Sequence, residues 1–190
     1  MPVDLNGLLA AADEVAERLR STFDYMLEIE SRQTDWFTID GVDRYQPVGR
    51  DNAGSAFLQL PDKRILYISS EGQAGVIADD FNAFIQLIVA HPYWKDLLTF
   101  SGGGKLAEMR RAAVALEAAT LNEVDDLEEA REYVISELAL EEPKDAIGAL
   151  HRAASASDVV VRASSDGNPC VSLFRTGTVD KSPFLRGFLD

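Results

Sequence analysis

The chain has 190 residues, 46% of them hydrophobic and 26% charged, which is enough apolar material for a folded core and excludes a wholly disordered chain. Thirty-two Asp and Glu against 18 Lys and Arg leave a formal net charge of −14, a field that repels nucleic acid and anionic membranes and favours a basic partner. The lone cysteine, Cys170, excludes an internal disulfide; with no basic-then-apolar leader in residues 1–16 and no run of about 18 apolar residues, a cytoplasmic location without a membrane span is expected.

Leu5, Leu8, Leu9, Ala12, Val15 and Leu19 recur at helical spacing behind a capping Asp4, and they predict an amphipathic helix whose spacing carries on through Phe23, Met26 and Leu27. From Glu30 the periodicity fades, and Asp40-Gly41 is a turn that hands over to strand formers. Three or four short strands follow, at 45–49, 55–60, 64–69 and 75–78. Their separators, Asp51-Asn52-Ala53-Gly54, Pro61-Asp62-Lys63 and Glu71-Gly72, have hairpin chemistry, so an antiparallel meander is expected. Asp79 or Asp80 then caps a helix with Phe81, Phe84, Ile85 and Ile88 on one stripe, stopped by Pro92 after His91; this helix should cover one face of the sheet.

Tyr93, Trp94, Leu97 and Leu98 continue as a short turn or helix, and Ser101-Gly102-Gly103-Gly104 reads as a hinge or linker. Beyond it, Leu106, Met109, Ala113 and Leu116 define one helix, and Leu127, Ala130, Val134 and Leu138 a second, with acidic outward faces; together they predict a helical hairpin. Pro143 starts a third helix through Ile147 and Leu150, and 159–161 and 171–174 read as two short strands joined by Asp166-Gly167. The fold class is α+β: an antiparallel β-meander packed against helices, with a C-terminal helical hairpin and a small strand pair. It divides into a domain at 1–100 and an extension at 101–190, separate from the first or packed with it as one unit.

No catalytic or cofactor constellation assembles from these residues. His91, His151 and Cys170 lie on different elements without metal-ligand spacing, so no metal is expected; His91, at a helix end before Pro92, reads as a charged cap. Gly102-Gly103-Gly104-Lys105 suggests a phosphate loop, but Thr99 stands where the first glycine is required and Leu106 where magnesium needs Ser or Thr. Asp51 to Gly54 resembles part of a calcium loop, yet Asp62 occupies the place of the bidentate Glu. No cofactor is expected. One feature does stand out: between Leu121 and Asp145 ten carboxylates meet only Arg131 and Lys144, a local net charge of −8. Such a stretch is either a solvated helix face or a surface that steers a basic protein inward, and Asp125, Asp126, Glu128 and Glu129 are its candidate contact residues.

Within 45–98, Pro47-Val48-Gly49-Arg50-Asp51-Asn52-Ala53-Gly54 leads into a strand, and Tyr67-Ile68, Glu71-Gly72, Ile77-Ala78-Asp79-Asp80-Phe81 and Phe84-Ile85 follow. This stretch resembles the core of the SUKH superfamily, the Smi and Knr-type proteins. Residues 146–174, with Ala149-Leu150-His151 and Ser172-Leu173-Phe174, resemble C-terminal extensions on some of its members. The resemblance implies an α+β fold and a non-enzymatic role: bacterial members are often immunity proteins that neutralise a toxin by occlusion, and fungal members are regulatory scaffolds. It carries over no catalytic residue, and it also allows an aromatic patch at Tyr93 and Trp94 to anchor a partner. The expected function is therefore a protein-binding module of the immunity type, its partner a basic toxin domain. The alternatives are a regulatory scaffold, a homodimer, or a small hydrolase with an unrecognised carboxylate site.

Overall fold

The N-terminal apolar spacing folds as two helices rather than one. A computed structural model describes residues 2–27, 34–156 and 158–189; residues 30–33 of the stretch where periodicity fades lie outside the described residues. Helix α1 (Leu5–Leu9) is capped by Asp4, whose Oδ1 accepts the Gly7 N–H at 2.7 Å, and α2 (Asp13–Ser21) restarts after a turn. The spacing does not continue as helix past Ser21, because Asp24 takes a left-handed conformation (φ 51°) and Met26 pairs with Arg50 through two backbone hydrogen bonds of 2.8 and 2.9 Å. Strand pairing there satisfies backbone groups that a longer helix would have used internally.

Strand β1 (Phe37–Ile39) precedes a four-stranded antiparallel meander, β2 (Gln46–Arg50), β3 (Ala56–Gln59), β4 (Ile65–Ile68) and β5 (Ala74–Ala78), ordered β2-β3-β4-β5. Each connection carries one residue at positive φ: Gly54, Lys63 and Gly72. The strand side chains alternate between two cores. Phe57, Ile65, Tyr67 and Ile77 face the helices, while Leu58, Leu66, Ile68 and Val76 face the opposite side. That second side is closed by β1 pairing antiparallel with β6 (Val161–Ala163), which brings Phe37, Ile39 and Val161 onto it. Gly49 on β2 is required by close approach: a Cβ there would lie 2.4 Å from the Tyr25 ring and 2.6 Å from the Met26 carbonyl oxygen.

Helix α3 (Phe81–Ala90) starts at Asp80, whose Oδ1 accepts the Ala83 N–H at 2.8 Å, and its Phe81, Phe84, Ile85 and Ile88 are all buried. Burial of each such side chain stabilises the fold by roughly 2 kcal/mol relative to exposure. Helix α4 (Trp94–Thr99) follows after the Pro92 break. The glycine run that reads as a hinge is instead a pinned turn. Gly102 N–H donates to the Gly177 carbonyl (2.8 Å), Gly103 N–H to that of Arg175 (2.7 Å), and the Ser101 side chain is fully buried.

Helices α5 (Leu106–Glu123) and α6 (Leu127–Glu137) follow in sequence as expected, but α5 packs chiefly on α4 and α7 (Ala146–Ser155) and α6 on α2 and α3, so their main contacts are with the rest of the fold rather than with each other as a hairpin. Helix α7 begins after Pro143, capped by Asp145, and packs against β5. After the Asp166-Gly167 turn, Cys170 N–H returns to the Val161 carbonyl at 2.8 Å, while Val171 bridges Gln73 of the meander in parallel; α8 (Pro183–Arg186) closes the chain. The main apolar core takes Val15, Phe57 and Phe84 from before the glycine run and Met109, Val134, Leu150 and Leu185 from after it. No described helix is long and apolar enough to cross a membrane.

Candidate functional site

The four carboxylates singled out from the sequence, Asp125, Asp126, Glu128 and Glu129, are exposed at the start of α6. They follow from the helix period, since Leu127, Ala130 and Val134 take the buried stripe and leave the acidic positions outward. Glu129 is partly engaged: Arg18 of α2 lies between it (3.2 Å) and Glu14 (3.4 Å), with its guanidinium 5.8 Å from the centre of the Tyr133 ring. Asp125, Asp126 and Glu128 have no ion-pair partner among the described residues.

Tyr93 and Trp94 are not a surface patch. They are 6% and 1% exposed, because the short α4 turns its apolar side into the sheet–helix core, where Trp94 stands edge-on to Tyr67 with ring centres 5.0 Å apart. Tyr93 nonetheless lines the wall of a cavity of about 530 Å³ between the end of α3, α5, α6 and the segment after α6. That size is typical of pockets that hold a small ligand or a protruding side chain.

One side of the cavity carries a connected polar row. Arg131 of α6 grips Glu117 of α5 through Nη1–Oε1 at 2.5 Å and Nη2–Oε2 at 2.9 Å. The same guanidinium donates to the Val89 and Ala90 carbonyls at 3.2 and 3.1 Å, so it closes the C-terminus of α3, where positive charge is favoured. Burial alone would push the Glu117 carboxyl up, but the hydrogen bonds from Arg131 and Tyr93 outweigh it and hold it below the usual carboxylate range. Tyr93 also meets His91 Nδ1 at 3.0 Å, and burial, followed by the Glu117 contact, holds its phenol protonated. Burial pushes the His91 ring below its ordinary pKa of 6.5, against the pull of Glu117, so the ring is neutral near pH 7 and is not the charged cap that its position suggested.

The rest of the cavity is apolar, with Val89, Ile135, Leu140 and Pro143 on its walls. At its mouth Glu141 and Glu142 are exposed, and neither carboxylate is ion-paired among the described residues. Gln86 fixes this edge by donating to the Glu141 carbonyl at 2.8 Å. Ile135 is 40% exposed, and on α5 Val114 and Leu121, 63% and 41% exposed, stand one turn to either side of Glu117. Within the cavity itself, Ile135 and Leu140 are thus grouped with Glu141 and Glu142, carboxylates without an ion-pair partner among the described residues. Of these residues the sequence signal reached only the charge: Glu141 and Glu142 lie in the acidic stretch and just before a helix-breaking Pro143, whereas nothing local marks Glu117, Arg131, Ile135 or Leu140.

A hydrolytic carboxylate site would look to Asp51, which is fully buried. Its Oδ1 accepts the Ser55 N–H at 2.8 Å, and its Oδ2 accepts from Lys95 at 2.6 Å and from the Tyr67 hydroxyl at 3.1 Å. Burial would raise this carboxyl, but Lys95 and Ser55 outweigh it and the acid lies below its ordinary pKa; burial pushes Tyr67 up to about 12. Lys95 also pairs with Asp24 at 2.7 Å. An ionised, fully coordinated carboxylate suits stapling of the β2–β3 turn to α4 better than proton transfer. His91, His151 and Cys170 stay on separate elements, His151 Nε2–H donating to the Gly104 carbonyl at 2.9 Å, and no group of three or more His, Cys, Asp or Glu among the described residues is arranged to hold a metal. Compared with protein-family models, with curated proteins and with solved structures, the chain matches none of them.

Proposed function

We propose that this chain is a non-enzymatic protein-binding module of the immunity type, which occludes a basic partner domain through the α5–α6 cleft and its acidic flank. The observation that carries the reading is one cavity that joins the exposed apolar side chain of Ile135, with Val89 and Leu140 on its walls, to the carboxylates Glu141 and Glu142, which have no ion-pair partner among the described residues. Charge of one sign over an apolar cleft speeds encounter with an oppositely charged partner and lets desolvated contacts hold it. The resemblance of 45–98 to SUKH proteins supports the choice of a toxin domain as that partner. The net charge of −14 points away from nucleic acid as a direct ligand.

The neighbouring gene provides the test. The expected result is a toxin gene with a basic C-terminal domain whose growth arrest is relieved when this chain is co-expressed, with the two proteins co-purifying as a complex. A neighbourhood of metabolic genes, together with turnover of an ester or glycoside by the purified chain, would overturn the reading. The same surface would serve a regulatory scaffold, and the gene context separates that alternative too.

A further inference from the structure

We infer that the cleft is a receptor for a single arginine side chain of the partner, with the guanidinium at the mouth between Glu141 and Glu142 and the aliphatic stem along Ile135 and Leu140. This rests on the reading of the chain as a binder of basic proteins and names the contact that would anchor it. A cation with an apolar stem needs walls that are dry along the stem and acceptors at its end, and the cavity of about 530 Å³ offers both. Glu141 and Glu142 supply charged acceptors with no ion-pair partner among the described residues.

Among the described residues the one cation lining the cleft, Arg131, does not oppose this occupant. Arg131 is held bidentately by Glu117 and spends its other donors on the Val89 and Ala90 carbonyls, so its charge is neutralised locally. Arginine fits better than lysine because a planar guanidinium presents donors in several fixed directions, reaches two carboxylates at once and sheds its hydration more readily. The carboxylate pair stays where it is because Gln86 ties the Glu141 backbone to α3 and because Leu140, 9% exposed, plugs the segment into the core.

The full chain, labelled for methyl and amide NMR, is titrated with three short blocked peptides that differ only at a central residue flanked by leucines: arginine, lysine or citrulline. The expected result is saturable shifts at Val89, Ile135 and Leu140 with the arginine peptide, and binding at least about tenfold weaker for citrulline, which keeps the shape and loses the charge. Lysine should fall between them. The doubly exposed variant Glu141→Gln with Glu142→Gln should lose about tenfold for arginine while its spectrum stays that of the folded chain. Equal binding of citrulline, equal binding of lysine, or no shift at the three cleft residues would overturn the proposal. Shifts confined to 125–129 would overturn the anchor and leave the broader binding reading standing, whereas failure of a Lys- and Arg-rich peptide to bind anywhere would remove both.

Discussion

His91 ties the cleft to pH. Its ring faces Tyr93, Glu117 and Arg131, and burial holds its folded pKa below the ordinary 6.5 despite Glu117. Between the folded and the unfolded pKa the unfolded chain binds more protons, so the stability associated with neutral His91 is whole above 6.5 and falls as pH drops through the folded value. The measurement is urea unfolding of the parent and of His91→Gln at a series of pH values from about 7.5 to 5. The parent should lose stability across that interval and the variant should show a flatter dependence. Equal slopes would mean that the ring is not held neutral by the fold. Asp51 and Glu117 have lowered carboxyl pKa values, so their own losses come at more acidic pH and do not confuse the comparison.

At the level of elements, Lys95 is the tie that holds α4 to the sheet and to the N-terminal segment, bonding Asp51 at 2.6 Å and Asp24 at 2.7 Å. Lys95→Met should cost about 3 kcal/mol in chemical denaturation, because it leaves the fully buried Asp51 carboxylate without its counter-charge, while Lys95→Arg should cost less. A loss within experimental error for the methionine variant would show that Asp51 simply takes up a proton. The meander was legible in the sequence because each turn carries its own chemistry: Gly54, Lys63 and Gly72 take the positive φ values that the hairpins require. The α3 stripe was legible for a similar reason, since the capping Asp80 stands immediately before a ten-residue helix that carries one amphipathic period. The pairing of β1 with β6 was not, because Phe37 and Ala163 meet across most of the chain and each strand has three residues, too few for a period to register. The break between α1 and α2 falls on Ala10, Ala11 and Ala12, strong helix formers, so tertiary packing decided it against local propensity.

For the whole molecule, the outcome turns on where the charge lies relative to the apolar surface. Composition revealed an excess of carboxylates, and the 121–145 stretch located over half of the net charge, but neither could show that Glu141 and Glu142 border a cleft. That cleft is assembled from 86–93, Glu117 and 131–143, segments brought together by the packing of α3 on α6 and by the Arg131–Glu117 pair that reaches α5. Tyr93 and Trp94 show the converse: an aromatic pair in a short element gives no indication of which side faces the core, and the structure turns both inward. The acidic face and the cleft together make the central claim, that the chain captures a basic protein through long-range attraction followed by local contact. The most direct test is stopped-flow association of a Lys- and Arg-rich amphipathic peptide with the parent and with the combined Asp125→Lys, Asp126→Lys, Glu128→Lys and Glu129→Lys variant, at low and at physiological salt. Because these side chains are exposed, the variant should keep the parent's stability to within about 1 kcal/mol. The account predicts that its association is at least about tenfold slower at low salt and nearly independent of salt. Unchanged association at low salt, in a variant that is folded and stable, would contradict it and leave the acidic face as a solvated surface.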